Sequence, residues 1–261
     1  MLERVTGLQK KDSDWLKLFR QSGFEARFRG KNVECYYGNL RQDILHAVDI
    51  IEDLLISEGY NTVPLEFPKM PVVGHENKES LFLDTVRETC VGMGLQEILT
   101  FTLSSREKQA EKIGLKEEGF VEIQNPASNK YEIFRKQLFP ELLEFLQKNK
   151  NSPYPQHVFE VGKTVELYSN SETGAREKKK LCIVLSSRKT GFSEIKSFLQ
   201  AVCSAFQWKF ELNETEHPSF ESGQTGLISM GERKGIVGVV NKKTLQNFGL
   251  ETPVALLEIE L

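Results

Sequence analysis

Asp43, Asp49, Glu52 and Asp53 put four carboxylates, all potential ligands, within eleven residues. Ile44, Leu45, Val48, Ile51, Leu54 and Leu55 recur at helical spacing around them, which predicts a helix over about 41–58 that Gly59 stops. On such a helix Asp49 and Asp53 lie about 40° apart and Glu52 about 60° from Asp49. Asp43 falls in the first turn, where a carboxylate suits the helix dipole. Carboxylates sharing one face repel each other unless a cation or a basic partner neutralises them. Hard oxygen donors of this kind suit Mg²⁺ or Ca²⁺. By spacing alone a solvated acidic face is the simpler reading, and a metal site is the alternative.

Other chemistry is not evident. The sequence has no GxSxG, GxxxxGK[ST], HExxH or GxGxxG segment. His46, His75, His157 and His217 lie in unrelated contexts and read as surface or satisfied core histidines. Cys35, Cys90, Cys182 and Cys203 are widely separated and sit among apolar residues, so they read as reduced core residues, without metal-ligand spacing. The net charge is −3. A protein that held nucleic acid mainly by its own surface would be more basic, so any RNA contact must be local or supplied by a partner. No apolar run approaches a membrane span and the N-terminus lacks a signal-peptide core, which predicts a soluble, cytoplasmic protein. The charge run Arg176 to Lys180 lies beside Gly174 and reads as a solvated hairpin loop.

The elements that must position these groups fall into two units. A short amphipathic helix over 13–22, a hairpin over 24–28 and 33–37, and the long acidic helix make a small α+β unit. Pro64, Pro68 and Pro71 then fall within eight residues, which excludes a helix interior and marks a linker. After it the pattern predicts helices over 78–93, 105–114, 141–149 and 192–206. Strands are predicted over 96–103, 121–124, 156–160, 164–168, 180–186, 208–212, 226–230, 235–240 and 254–260. Many strands joined by short turns, with helices inserted irregularly, indicate an α+β fold with an antiparallel-rich sheet.

At this point the residues become familiar. Arg41-Gln-Asp-Ile, Asp49-Ile-Ile-Glu-Asp53 and Gly59-Tyr60 closely resemble a stretch of phenylalanyl-tRNA synthetase β subunits. The resemblance continues through Met93 to Phe101, Asn125-Pro126, Arg135-Lys-Gln-Leu-Phe-Pro-Glu-Leu-Leu143, Phe159-Glu-Val-Gly162, His217-Pro218 and Pro253 to Glu258. It covers roughly residues 5 to 261 and is nearest to the archaeal and eukaryotic form. It implies a winged-helix-like domain over 1–62, a proline-rich linker over 63–75, and a class II aminoacyl-tRNA synthetase-like module over 76–261 that has lost its active site. It also implies a Mg²⁺ site shared with the α subunit, with Asp43, Asp49, Glu52 and Asp53 as this chain's ligands. The implied partners are the α subunit, in an α2β2 heterotetramer, and tRNA(Phe), with no membrane.

The sequence departs from the family at Gln137, where serine is common, at Gln224, where arginine is common, and at Asn241-Lys-Lys-Thr, which replaces H-P-E/D-V. Contacts with α near 223–245 are therefore not carried over. The resemblance starts inside the family's pattern. The subunit's N-terminal domains, one of them linked to editing of mischarged tyrosine, have no counterpart in these residues, so either a shortened piece or a reduced paralogue is expected.

A class II synthetase needs arginines to hold phosphates and acids to hold Mg²⁺ on one sheet. Arg135 is the one arginine of this module in a motif-like position, and a structural ion pair is its plainest role. The chain alone is therefore expected to be inactive and to support phenylalanine–tRNA ligation by α. A stand-alone synthetase paralogue and a winged-helix nucleic-acid-binding module are the competing readings.

Overall fold

The computed structural model describes residues 1–65, 67–69 and 72–261, so Pro71 of the proline-rich stretch lies outside the described residues. The chain divides into two compact units, residues 1–74 and 75–261.

The first unit comprises α1 (Leu2–Thr6), α2 (Asp12–Gln21), a hairpin of β1 (Glu25–Arg29) and β2 (Asn32–Tyr36), and α3 (Ala47–Glu58). Trp15, Leu18 and Phe19 of α2 pack with Phe24, Ile44 and Leu54 as its core. The pattern anticipated α2, the hairpin and α3, but not the five-residue α1, which is too short to show a period.

The long acidic helix starts six residues later than its apolar spacing implies. A capping box ends it at His46: the His46 side chain accepts from the Val48 N–H, and Asp49 returns to the His46 N–H. Ile44 is buried even so, reaching the core from the preceding loop, and this is why the helical spacing seemed to extend upstream. Asp43 therefore lies in a loop and not in a first helical turn.

The second unit is built on a sheet. Its elements are α4 (Lys78–Gly92), β3 (Gln96–Glu97), β4 (Leu103–Ser104), α5 (Arg106–Gln109), β5 (Ile133–Phe134), α6 (Phe139–Lys148), β6 (Gln156–Leu167), β7 (Ala175–Ser186), α7 (Phe192–Ala205), β8 (Glu211–Glu214), β9 (Phe220–Met230), β10 (Arg233–Val240), α8 (Lys242–Asn247) and β11 (Val254–Glu260). Among the described residues the main sheet has seven strands in the order β3-β6-β7-β11-β10-β9-β8. Only the β3–β6 pairing is parallel. The protein is thus α+β with an antiparallel-rich sheet.

Side chains alternate across that sheet. Leu181, Ile183 and Leu185 of β7 and Ala255, Leu257 and Ile259 of β11 pack with Val86 and Cys90 of α4 and Ile195, Leu199 and Val202 of α7. Cys182, Val184, Val254 and Leu256 face the other way, against Phe139, Leu142, Leu143 and Leu146 of α6. Both faces are covered, so each of these valine, leucine and isoleucine side chains contributes about 1.5–3 kcal/mol by burial.

Several local expectations are corrected. The strand expected over 96–103 leaves the sheet after Glu97, and its remainder pairs only at β4 with β5. Thr100 turns instead into a buried ion pair, donating to Glu160 at 2.6 Å. The strand expected at 121–124 reduces to a single bridge between Glu122 and Ile133. The helix expected over 105–114 breaks at Ala110 into α5 and a short 3₁₀ turn. The two strands expected over 156–168 are one, β6, which runs straight through Gly162. The charge run at 176–180 is not a loop. It is part of β7, where Arg176 and Lys178 both reach Glu166 on β6 and Lys178 also reaches Glu260 on β11. Cross-strand pairs of opposite charge make such a segment a strand. The helix at 242–247 was not anticipated, and Asn241 caps it by accepting from the Thr244 N–H.

Among the described residues no helix is long and apolar enough to cross a membrane. Cys90, Cys182 and Cys203 are buried and Cys35 half-buried, all as free thiols.

Candidate functional site

In the first unit the carboxylates gather around an arginine. Arg41 Nη2 donates to Asp43 Oδ2 at 2.7 Å and to Asp53 Oδ2 at 2.6 Å, while its Nε donates to Asp43 Oδ1 at 3.0 Å. The guanidinium also lies over the Phe24 ring, 5.3 Å from its centroid. The hydrogen bonds that Arg41 donates to Asp43 and then to Asp53 raise its pKa, and Arg41 holds the Asp43 carboxyl below its ordinary range.

Asp49 does different work. Its Oδ2 accepts from the His46 N–H at 2.7 Å and the Leu45 N–H at 2.8 Å, and these bonds lower its pKa. Glu52 makes no hydrogen bond or ion pair among the described residues. The four residues are thus unequal. Asp43 and Asp53 converge on one position, Asp49 is committed to the helix start, and Glu52 is free.

Among the described residues no three acid, histidine or cysteine side chains are arranged as a metal-holding group. The donor chemistry nevertheless suits a hard cation, and the Arg41 nitrogen between two carboxylate oxygens marks a place where positive charge is held. Sequence reasoning foresaw that a cation or a basic partner must neutralise this cluster. It missed that Arg41, two residues before Asp43, is that partner.

In the second unit the notable charges lie on the sheet face toward α6. Glu160 of β6 and Glu258 of β11 are both paired in register with Cys182 of β7, so the three residues form a row across the sheet. Both carboxylates are buried. Glu160 takes Arg135, whose Nη2 lies 2.7 Å from its Oε1, with side chains only 2% and 1% exposed. Arg135 also donates to Thr100 Oγ1 at 2.6 Å and to the Lys163 carbonyl at 2.8 Å. Glu258 Oε2 accepts from the N–H groups of Leu138 and Phe139 at the start of α6, and its Oε1 takes Lys180 at 2.8 Å. Burial, then Glu258 and Glu160, push the Cys182 thiol well above its ordinary range. A recess of about 250 Å³ beside Glu258 is lined by Gln137, Phe139, His217 and Lys234.

Arg135 is therefore a structural ion-pair partner, its plainest sequence reading. The roles of Glu160 and Glu258 were missed. The available signal was a lone acid inside an otherwise apolar strand, Val158-Phe-Glu-Val161 and Val254-Ala-Leu-Leu-Glu-Ile259.

Comparison with known proteins matches both units. A family model described as "Phenylalanyl tRNA synthetase beta chain CLM domain" matches residues 63–261, and one described as "tRNA synthetase B5 domain" matches residues 1–60. The chain is 38% identical over 274 residues to the phenylalanine–tRNA ligase beta subunit of Thermococcus onnurineus, covering 100% of this chain and 48% of that protein. It is 34% identical over 262 residues to that of Pyrococcus furiosus and 34% over 265 residues to that of Methanocella arvoryzae, covering 100% of this chain and 47% and 48% of those proteins. The chain spans about half the length of the curated relatives it matches. With both units matched end to end, the chain belongs to the phenylalanyl-tRNA synthetase β chain family.

Proposed function

We propose that this chain is a non-catalytic scaffold portion of a phenylalanyl-tRNA synthetase β subunit. On this reading the first unit is winged-helix-like and the second is a class II synthetase-like module without an active site of its own. It docks beside an α subunit within an α2β2 assembly in the cytoplasm. There it supports ATP-dependent attachment of phenylalanine to tRNA(Phe) by α. The relatives' name, phenylalanine–tRNA ligase beta subunit, supports the assignment.

The observation that carries the non-catalytic part is the fate of the buried charges on the α6-facing side of the sheet. Arg135 is consumed by Glu160, and Lys180 by Glu258. Adenylate formation needs cations free to grip phosphate at the moment of reaction. A guanidinium sealed in a 2.7 Å ion pair cannot supply that grip.

Asp43, Asp49, Glu52 and Asp53 are proposed as this chain's share of a Mg²⁺ site completed by α. Their hard oxygens and the cation position between Asp43 and Asp53 support this. When bound, the ion would neutralise the cluster and bridge the subunits. Asp49 would continue to hold the start of α3.

The deciding experiment uses the purified chain with and without the α subunit of the same organism. Co-elution with α on gel filtration, and no phenylalanine-dependent pyrophosphate exchange by the chain alone, are expected. Formation of an aminoacyl-adenylate by the chain alone would overturn the reading.

A further inference from the structure

We infer that the recess beside Glu258 binds a small carboxylate that carries a neutral hydrogen-bond donor, such as a 2-hydroxy acid. The site is built from residues of the second unit alone.

The acids that line the recess already have their own cations. Glu258 Oε2 accepts from the Leu138 and Phe139 N–H groups, and its Oε1 takes Lys180 at 2.8 Å. Glu260 takes Lys178 at 2.7 Å. What stays open is one acceptor and a set of donors. Gln137 Oε1 is buried and has no hydrogen-bond partner among the described residues. A buried acceptor in that state calls for a donor from outside the chain. Lys234 lines the same recess, is exposed, and makes no ion pair or hydrogen bond among the described residues. His217 Nδ1 accepts from the Ser219 N–H at 3.2 Å, and burial keeps the ring neutral, so its hydrogen sits on Nε2. That Nε2–H meets no acceptor among the described residues.

These open groups select the ligand. An ammonium and an N–H are matched by the two oxygens of a carboxylate, and charge makes those bonds the strong ones. The Gln137 oxygen is matched by a hydroxyl or another neutral donor. A cationic donor is disfavoured, because Lys180 and Lys234 already place two ammonium groups in the lining. Phe139, Leu227 and Ile236 add an apolar wall, which suits an organic acid better than an inorganic anion. The volume of about 250 Å³ is below the roughly 300–1,000 Å³ of drug-sized sites, so only a small molecule fits.

The test uses the purified full chain with L-lactate as the probe, and saturation-transfer difference NMR to obtain dissociation constants. Propionate, which lacks the hydroxyl, should bind about fivefold more weakly than lactate, and lactamide, which lacks the charge, about tenfold more weakly or less tightly still. Gln137→Met removes an acceptor that has no protein partner and should erase the preference for lactate over propionate. Lys234→Met should weaken both acids about tenfold. In the unsubstituted chain the Gln137 side-chain amide resonances should move as lactate is added, a readout that needs no variant to fold. Equal binding of lactate and propionate, a lactate affinity untouched by Lys234→Met, or no saturation transfer to lactate would each overturn the site and leave the Gln137 oxygen to a resident water. Inorganic phosphate displacing lactate more strongly than lactate displaces itself would overturn the carboxylate assignment.

Discussion

Gly162 leaves the space through which Arg135 reaches Glu160: a Cβ at residue 162 would lie 2.5 Å from Arg135 Nη2 and 2.8 Å from Glu160 Oε1. A glycine in mid-strand normally weakens β structure. Here it admits the guanidinium to a buried carboxylate that would otherwise have no counter-charge. Gly162→Ala should therefore cost about 1–3 kcal/mol by overpacking. Arg135→Met should cost more, about 3–5 kcal/mol, because it leaves the buried Glu160 charge without its counter-charge, held only by the Thr100 hydroxyl. The double variant Arg135→Met with Glu160→Leu should recover much of that loss. Urea unfolding midpoints of the four proteins check the order, and a harmless Arg135→Met would refute it.

Glu258 joins the start of α6 to the centre of the sheet. One of its oxygens satisfies the Leu138 and Phe139 N–H groups at 2.8 and 3.0 Å, which have no partner within the helix. Glu258→Leu leaves those donors unpaired and Lys180 without its counter-charge, held only by the Lys136 carbonyl, and should cost about 3–5 kcal/mol. Glu258→Gln preserves shape and some of the bonds and should cost about 1–3 kcal/mol. Lys180→Met should be milder than Glu258→Leu, since the carboxylate keeps its two N–H donors. Denaturation of the three variants side by side would show the ranking.

His217 gives the second unit a pH dependence. Burial lowers its pKa below the ordinary histidine value, with only partial compensation by Glu258. Its ring packs against Phe139 and Phe220, and its Nδ1 accepts from the Ser219 N–H. The unfolded chain therefore takes up a proton at a pH where the folded chain does not. Stability should fall as pH drops below about 6.5 toward the folded value, by at most about 1.4 kcal/mol per pH unit from this group. His217→Gln should flatten that slope in urea titrations between neutral and mildly acidic pH. An unchanged slope would assign the effect elsewhere.

On the proposed Mg²⁺ reading, Asp49 and Glu52 separate folding from ion binding in the carboxylate cluster. Asp49→Ala removes the acceptor of the His46 and Leu45 N–H groups and should lower the melting temperature by a few degrees, about 2–6 °C. Glu52→Ala removes no bond among the described residues and should leave the melting temperature within about 1 °C. If the proposed assembly with α and its shared Mg²⁺ site hold, both should raise the Mg²⁺ concentration needed for half-maximal aminoacylation by that complex. Unchanged magnesium dependence for Glu52→Ala would take that residue out of the ligand set.

Features written in local pattern were legible from the order of residues alone. The hairpin, α4, α6, α7 and β11 follow from apolar period, caps and turn residues within about fifteen positions of one another. The runs around Asp43 to Asp53 and Arg135 to Leu143 were enough to place the family. The start of α3 was not legible there, because Ile44 enters the core from a loop and its burial mimics helical spacing. Only the tertiary structure joined Arg135 to Glu160, Glu258 to Leu138, and Arg41 to Asp53. The physical reason is that a charge is settled by distance and by removal from water. Both are fixed when strands and helices far apart in the chain come together, and neither leaves a period in the sequence.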